Sequence, residues 1–208
     1  MINRSSGHLK LSGAIILIIL LVDQALKFWV KTNMVLGEEF SVAGNWFLIH
    51  FTENYGMAFG IEFAGVYGKL VLSIFRIIAV CAIGWYIFKL IRQSAHVSVV
   101  TGFSLILAGA IGNIIDSTFY GLLFSDSYHQ VAGFLPDGGG YAGLLHGKVV
   151  DMFYFPLIYG YFPDWFPVWA GDEFIFFRPV FNIADSSITV GVAVLLLFQK
   201  HFNRIRKN

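Results

Sequence analysis

The sequence predicts an all-α membrane protein with four transmembrane helices and a small extracytoplasmic unit that contains β-structure. Of the 208 residues, 57% are hydrophobic and only 13% are charged, and the mean hydropathy is +0.70. Soluble domains contain about 25% charged residues. Several apolar stretches also reach the length of about 20 residues that a helix needs to cross the hydrocarbon core. The whole chain, residues 1–208, is predicted to be one domain.

The predicted transmembrane helices follow from these apolar stretches. They cover residues 11–30, 70–91, 97–119 and 180–199. A cleavable signal peptide is an alternative for the first stretch, because basic residues precede its apolar core. However, Asp23 and Lys27 follow that core without a small-residue cleavage site, which favours a retained helix. Pro179 suits the first position of the fourth helix, where its missing N–H matters least.

The distribution of Lys and Arg predicts the orientation of these helices. Basic residues fall at both termini and between the second and third helices, where no Asp or Glu is found. Because short basic segments stay cytoplasmic, both termini are expected in the cytoplasm. The extracytoplasmic face then consists of residues 32–69, with a β-like stretch at 46–51, and of residues 120–179. An aromatic-rich part of the second loop, residues 156–178, is expected at the membrane interface.

Four aspartates lie in unusually apolar surroundings. A charged side chain at the centre of a bilayer costs about 2.5 to 3.5 kcal/mol on insertion scales, so buried membrane acids are functional candidates. Two of them belong to polar stripes with the spacing i, i+3, i+4, i+7, which places each stripe on one helix face. All are expected beneath the extracytoplasmic surface. The four are Asp23, Asp116, Asp151 and Asp185.

A structural role is the alternative for each aspartate. Lys27, at i+4, can neutralise Asp23, which favours packing for that residue. Asp116 has hydrogen-bonding neighbours on its own helix face, so both interpretations stay open. Asp185 has no basic residue one turn away. Lys148 precedes Asp151 by three positions in an extended segment, so the two point to opposite faces. Packing therefore explains Asp151 and Asp185 least.

Two carboxylates in a low-dielectric site cannot both ionise, so one keeps a proton while the other acts as a base. Such a pair can activate water against an amide and protonate the leaving amine without a metal or cofactor. The sequence contains neither an H-E-x-x-H zinc motif nor a G-x-S-x-G nucleophile motif. The single cysteine, Cys81, excludes an intrachain disulfide. Arg76, inside the second helix, is expected to reach outward or to pair structurally.

Five segments, in this order along the chain, resemble the lipoprotein signal peptidases (signal peptidase II), a family of membrane aspartic peptidases. Each segment by itself is a weak signal, but together they span nearly the whole chain. The segments are Val22–Lys27, Glu53–Gly60, Gly109–Asp116, Gly147–Met152 and Phe181–Ser186.

The resemblance implies cleavage of a diacylglyceryl-modified prolipoprotein immediately before its lipidated cysteine, in the bacterial cytoplasmic (inner) membrane. It implies a lipid-modified substrate and surrounding phospholipid as partners. No nucleic-acid partner is expected, because the basic residues are not clustered with stacking aromatic residues, and the aspartate chemistry requires no cofactor. Asp151 and Asp185 match the catalytic pair. The positions that line or support the substrate site are matched by Asp23, Asn54, Asn113, Asp116 and Asn182, with Lys27 as the partner of Asp23.

The chain departs from the family pattern in two ways. Ser117 stands where the family usually has Arg, and Lys148 and Arg178 are candidates to replace that arginine. Insertions at about 121–146 and 156–178 are expected to enlarge an extracytoplasmic lid.

Two other classes of membrane protein remain open as alternatives. A small ion transporter or channel component is disfavoured, because transporter sites lie near the midplane between repeats; in a noncatalytic membrane scaffold the paired aspartates would be replaceable.

Overall fold

The computed structural model describes residues 2–56, 65–176 and 178–200. The predicted motif residues 57–60, Phe177 and the basic residues beyond 200 lie outside this part of the chain. A π-helical turn, Asp116–Tyr120, joins the third and fourth helices. The helices are α1 (Ile2–Asn33), α2 (Gly65–Arg92), α3 (Val97–Ile115), α4 (Gly121–Leu123) and α5 (Ile183–Leu197). The strands are β1 (Glu39–Ala43), β2 (Phe47–Asn54), β3 (Val149–Tyr154), β4 (Ile158–Tyr161), β5 (Glu173–Phe176) and β6 (Val180–Phe181).

Three of the four predicted spans are helices of sufficient length and hydropathy to cross a membrane: Ser5–Asn33, Gly68–Arg92 and Val97–Leu123. The fourth is shorter than predicted. α5 has 15 residues, about 22 Å at 1.5 Å per residue. The predicted start at residue 180 is wrong, and so is the helical position of Pro179, because Val180 and Phe181 pair with β3 as a strand. The expectation of four full-length spans is therefore not confirmed.

The predicted β-structure is a four-stranded antiparallel sheet in the order β1-β2-β3-β6. The β-like stretch at 46–51 and the extended segment after Lys148 become β2 and β3. Thr52 pairs with Asp151 in this sheet, and Phe153 pairs with Phe181. Because β6 pairs with β3 and α5 begins shortly after β6, the start of α5 lies close to β3. An apolar core beneath the sheet is formed by side chains from the end of α1, from β2 and β3, and from the segment after the π-helical turn.

The helices pack through small and hydroxylated residues. A Cβ on Gly102 would lie 2.8 Å from the Leu195 side chain, so only glycine allows this close approach. Ser187 Oγ donates a hydrogen bond of 2.8 Å to the Leu105 carbonyl. Ser12 and Ser104 join α1 to α3 with an Oγ–Oγ distance of 2.7 Å. Because lipid tails are as apolar as leucine, close backbone approach and interhelical hydrogen bonds drive such packing. α3 is the central helix and contacts α1, α2 and α5.

The two insertions have different structures. Residues 124–146 contain little regular structure and fold back on α4, where Phe124 forms an isolated bridge with Phe134. Residues 158–176 form the β4–β5 hairpin, whose tip carries exposed aromatic side chains such as Trp165 and Trp169. The hairpin strands pair only with each other among the described residues.

Candidate active site

Asp151 and Asp185 are brought together by the pairing of β3 with β6. Asp151 lies in β3 and is 5% exposed, whereas Asp185 lies in the first turn of α5 and is partly buried. Burial, together with the negative charge of Asp185, raises the pKa of the Asp151 carboxyl to about 8. The two acids, 34 positions apart in the sequence, thus form one electrostatically coupled pair, in which Asp151 keeps its proton at neutral pH.

Asn182 links the two carboxyl groups. Its Nδ2 donates to Asp151 Oδ1 at 2.7 Å, and its Oδ1 accepts the backbone N–H of Asp185 at 2.9 Å. The second contact is half of a capping box, in which the Asp185 side chain accepts in return from the Asn182 backbone. This cap explains why α5 begins after residue 182, since capping satisfies N–H groups that lack intrahelical partners.

Asn113 and Asn54 complete the contacts of the pair. Asn113 Nδ2 donates to Asp185 Oδ1 at 2.8 Å, and Asn113 Oδ1 accepts from Asn182 Nδ2 at 3.1 Å. Asn54 Nδ2 donates to Asp151 Oδ2. Both oxygens of Asp151 therefore receive a side-chain amide. These hydrogen bonds fix the orientation of each carboxyl group without adding a compensating charge.

Beneath this pair lies a fully buried ion cluster. Lys27 Nζ lies 2.9 Å from Asp23 Oδ2 and 2.8 Å from Asp116 Oδ2, with all three side chains at 0% exposure. Lys27 also donates to Asn113 Oδ1 at 2.9 Å, which connects the cluster to the pair above. Removal of Lys27 would leave two buried carboxylates without their counter-ion, a change that typically costs about 3 to 5 kcal/mol.

Asp23 and Asp116 also hold the backbone of the two candidate catalytic segments. Asp23 Oδ1 accepts the N–H of Ala184 at 2.9 Å, and Asp116 Oδ2 accepts the N–H of Val150 at 3.2 Å. Each of these backbone groups belongs to the residue directly before a member of the pair. Gln24, which the sequence analysis did not single out, donates to Asp116 Oδ1 at 2.9 Å and to Asp23 Oδ2 at 3.1 Å.

The polar residues at the end of the third helix are buried, and two glycines of the same helix lie in close contact with α1 and α5. The buried polar residues are Asn113, Asp116 and Ser117. The π-helical turn that begins at Asp116 is a distortion of the α-helix that is often found at functional sites. A Cβ on Gly112 would lie 2.8 Å from Asp23 Oδ2, and one on Gly109 would collide with the Ala184 carbonyl. The glycines therefore allow α3 to approach α1 and α5 closely enough to place the cluster between them.

The first departure from the family pattern, Ser117 in place of an arginine, lies in a buried part of the structure. Ser117 is 1% exposed and its hydroxyl has no hydrogen-bond partner among the described residues. Its carbonyl accepts the N–H of Gly147 at 2.9 Å, so the chain that leads into β3 covers it. Of the two predicted replacements for the family arginine, Lys148 lies 3.4 Å from Glu53 Oε2, and Arg178 is exposed.

Sequence reasoning missed Lys31 in this region, and it left open whether Arg76 reaches outward or pairs structurally. Lys31 Nζ forms a buried ion pair with Glu53, which directly precedes Asn54 in β2. Arg76, on α2, donates from Nη2 to the Gly56 carbonyl, so it faces the protein interior and does not reach outward. Glu53 was part of a motif, but its partner could not be inferred, because Lys31 lies 22 positions away at the end of α1.

Comparison with known proteins agrees with the resemblance. A family model described as signal peptidase (SPase) II matches residues 15–200. A lipoprotein signal peptidase of Porphyromonas gingivalis is 54% identical over 189 residues, which cover 90% of this chain and 82% of the relative. A lipoprotein signal peptidase of Amoebophilus asiaticus is 40% identical over 186 residues, covering 88% and 75% respectively.

A solved structure has a similar fold. It is described as a bacterial membrane enzyme structure obtained by the in meso method at 2.3 Å resolution. The TM-score is 0.57 at 24% identity, with 94% of this chain and 91% of the other covered. None of these similarities favours the ion transporter or channel component considered as an alternative. The match over nearly the full length and the identity to its relatives show that this chain belongs to the signal peptidase II family.

Proposed function

We propose that Asp151 and Asp185 are the catalytic pair of an enzyme that removes the signal peptide from diacylglyceryl-modified prolipoproteins, cutting before the lipidated cysteine. Membership of the signal peptidase II family supports signal-peptide removal and a lipoprotein substrate. The observation that carries the assignment of the pair is Asn182, which contacts both acids at once. No Lys or Arg among the described residues forms an ion pair with either acid, so no counter-ion in direct contact holds both carboxyl groups in the ionised form.

The roles within the pair follow from the environment of Asp151. Because burial and the Asp185 charge raise its pKa to about 8, Asp151 is the proton donor at the start of the reaction. Asp185, held by Asn113, is the base. Asp185 takes a proton from a water molecule as the water oxygen bonds to the scissile carbonyl carbon, and the carbonyl oxygen takes the proton of Asp151.

The second half of the reaction restores both acids. The C–N bond breaks, and the leaving nitrogen takes the proton that Asp185 had accepted from water. As the carboxyl product forms, its hydroxyl proton returns to Asp151. The three asparagines Asn54, Asn113 and Asn182 keep the two carboxyl groups oriented through this cycle. The buried Asp23–Lys27–Asp116 cluster supports the segments from which the acids project.

We place the site beneath the extracytoplasmic surface, with both termini in the cytoplasm. Lys89 and Arg92 at the end of α2 support this orientation, because basic residues mark the cytoplasmic ends of membrane helices. The lipidated substrate then enters laterally from the surrounding phospholipid. The insertions at about 121–146 and 156–178 form an enlarged lid. A variant without residues 158–176 tests this lid hypothesis. The hypothesis is wrong if the variant keeps the activity and the substrate range of the wild type.

The test of the catalytic pair is cleavage of a purified diacylglyceryl-modified precursor by Asp151→Asn and Asp185→Asn. Each substitution keeps the side-chain shape but replaces the carboxyl group with an amide, which cannot act as acid or base, so each is expected to lower kcat by at least about 1,000-fold, within the range found when catalytic residues are removed. The matched control is Asp137→Asn, the same change at an exposed loop position. Near-normal cleavage by either folded variant overturns the assignment.

A further inference from the structure

Three polar residues form a stripe on one face of the apolar helix α2. They follow the spacing i, i+4, i+7, which repeats on one helix face. Each donates a hydrogen bond to a backbone carbonyl of an extracytoplasmic loop. Lys69 Nζ donates to the Tyr55 carbonyl at 2.8 Å, Ser73 Oγ donates to the Leu145 carbonyl at 3.1 Å, and Arg76 Nη2 donates to the Gly56 carbonyl.

Two of these residues are cations in a helix with a hydropathy of 2.2 over its most apolar window. Lys69 is only 4% exposed, and no carboxylate of the described residues forms an ion pair with it or with Arg76. A buried, unpaired cation within the membrane is costly and marks a functional position by default. Each of these two cations donates to a neutral carbonyl, and a neutral carbonyl does not balance the positive charge of either side chain.

The contacts of Arg76 lead to one member of the catalytic pair in three steps. Arg76 holds the Gly56 carbonyl, the Gly56 N–H donates to Asn54 Oδ1 at 2.5 Å, and Asn54 Nδ2 donates to Asp151 Oδ2. Gly56 has a φ of +81°, and a Cβ there would collide with the Arg76 guanidinium. The turn is thus shaped so that the guanidinium lies directly against its backbone.

Arg76 also acts on the other member of the pair. Its positive charge is close enough to interact with Asp185. Other charges near the pair leave a negative excess: Lys27 faces two carboxylates, Asp23 and Asp116, and a pair with a single proton adds one more negative charge. Lys31 and Lys148, which both contact Glu53, offset only one of these negative charges. The two cations of α2 offset this excess, since Lys69 interacts electrostatically with Asp116 and Arg76 with Asp185.

We propose that Arg76 is a positioning residue for the reaction: it holds the turn that orients Asn54 against Asp151, and it places a positive charge beside Asp185 that favours the singly protonated pair. This inference rests on the proposed catalytic role of Asp151 and Asp185. If Arg76 has this role, α2 contributes a residue that positions the catalytic pair, although neither catalytic acid lies on α2.

The test measures kcat, KM and the pH profile of precursor cleavage for Arg76→Gln and Arg76→Lys. Arg76→Gln removes the charge and is expected to lower kcat by about 100-fold, the effect of a small misplacement of reacting groups. It is also expected to move the pH profile towards higher pH, because the carboxyl pair binds a proton more readily without the nearby cation. Arg76→Lys keeps the charge, so it retains the wild-type pH profile while part of the loss in kcat persists.

Two controls separate charge, packing and the proposed function. Lys89→Gln makes the same charge change at the other end of α2 and is expected to leave the profile unchanged. Ser73→Ala removes one carbonyl contact from the stripe without a charge and does not shift the profile. If Asp151→Asn is inactive while Arg76→Gln keeps wild-type kcat and pH profile, the role of Arg76 is wrong and the catalytic pair stands. If Asp151→Asn and Asp185→Asn both cleave normally, the proposed function itself fails.

Discussion

Asp23 Oδ1 accepts the backbone N–H of Ala184 at 2.9 Å, across 161 positions of sequence. Ala184 directly precedes Asp185, so a carboxylate in the middle of α1 holds the first turn of α5. The same carboxylate bonds Lys27 through its other oxygen. One buried acid therefore positions one candidate catalytic acid, although the two do not touch through their side chains.

Asp23→Ala is expected to lose both functions of this carboxylate. It leaves the buried Ala184 N–H without its acceptor and removes one of the two carboxylates that contact Lys27, so the free energy of unfolding falls by about 1 to 3 kcal/mol. Asp23→Asn keeps an oxygen for the Ala184 N–H and should retain more activity than Asp23→Ala. Denaturant unfolding in detergent and precursor cleavage measure the two effects. Equal activities of the two variants contradict the role of the Ala184 contact.

The raised pKa of Asp151 predicts how cleavage depends on pH. Because its pKa is about 8, the proton-donating form is lost as the pH rises through about 8, and kcat should fall there. A pH–rate profile between pH 5 and pH 10 locates this limb. A profile that stays flat through pH 9 excludes Asp151 as the initial proton donor.

The same shift predicts a pH dependence of stability. The folded state binds the Asp151 proton more tightly than the unfolded state, whose pKa lies near 3.8. The stabilisation from this proton is therefore complete below pH 4 and disappears as the pH rises to about 8. Asp151→Asn has no such dependence, so its unfolding free energy relative to wild type should increase between pH 4 and pH 8. If the difference in unfolding free energy between Asp151→Asn and wild type is the same at pH 4 and pH 8, the raised pKa of Asp151 is contradicted.

The buried Lys31–Glu53 pair is expected to stabilise the sheet beside the site. Glu53 is 3% exposed and pairs in register with Val150, next to Asp151. Glu53→Gln leaves Lys31 without its counter-charge and should lower the unfolding free energy by about 3 kcal/mol. Glu39→Gln is the matched control, because Glu39 is 52% exposed in its pair with His50; a change of at most about 1 kcal/mol is expected there. Equal effects of the two substitutions contradict the burial argument.

Two glycines of the membrane helices should respond in opposite ways to the same substitution. Gly112→Ala forces a Cβ to within 2.8 Å of Asp23 Oδ2 and 3.1 Å of the Ala184 Cβ, so α3 must move away from the cluster and activity should fall. Gly84→Ala meets nothing closer than Leu107 Cδ2 at 3.9 Å. It should keep activity and gain up to about 1 kcal/mol from helix propensity. Thermal unfolding and cleavage of both variants test the contrast.

Local patterns predicted most of the elements. The apolar stretches became α1, α2 and α3, and the extended segment after Lys148 became β3. The start of the fourth helix was wrong because pairing of Val180 and Phe181 with β3 outweighed the helical preference for Pro179 at the first position. Asn182 then capped the helix, a role that depends on where the preceding strand ends.

The sequence by itself determined the membrane class and the acids available for the site, because hydropathy and charge are summed along the chain. It also determined that Lys27 would neutralise Asp23, since one helical turn separates them. The tertiary structure alone decided that Lys27 is shared with Asp116, that Arg76 faces the site, and that Asn182 joins Asp151 to Asp185. These contacts join residues from different helices and strands, so their energies depend on how the chain packs, which local spacing does not encode.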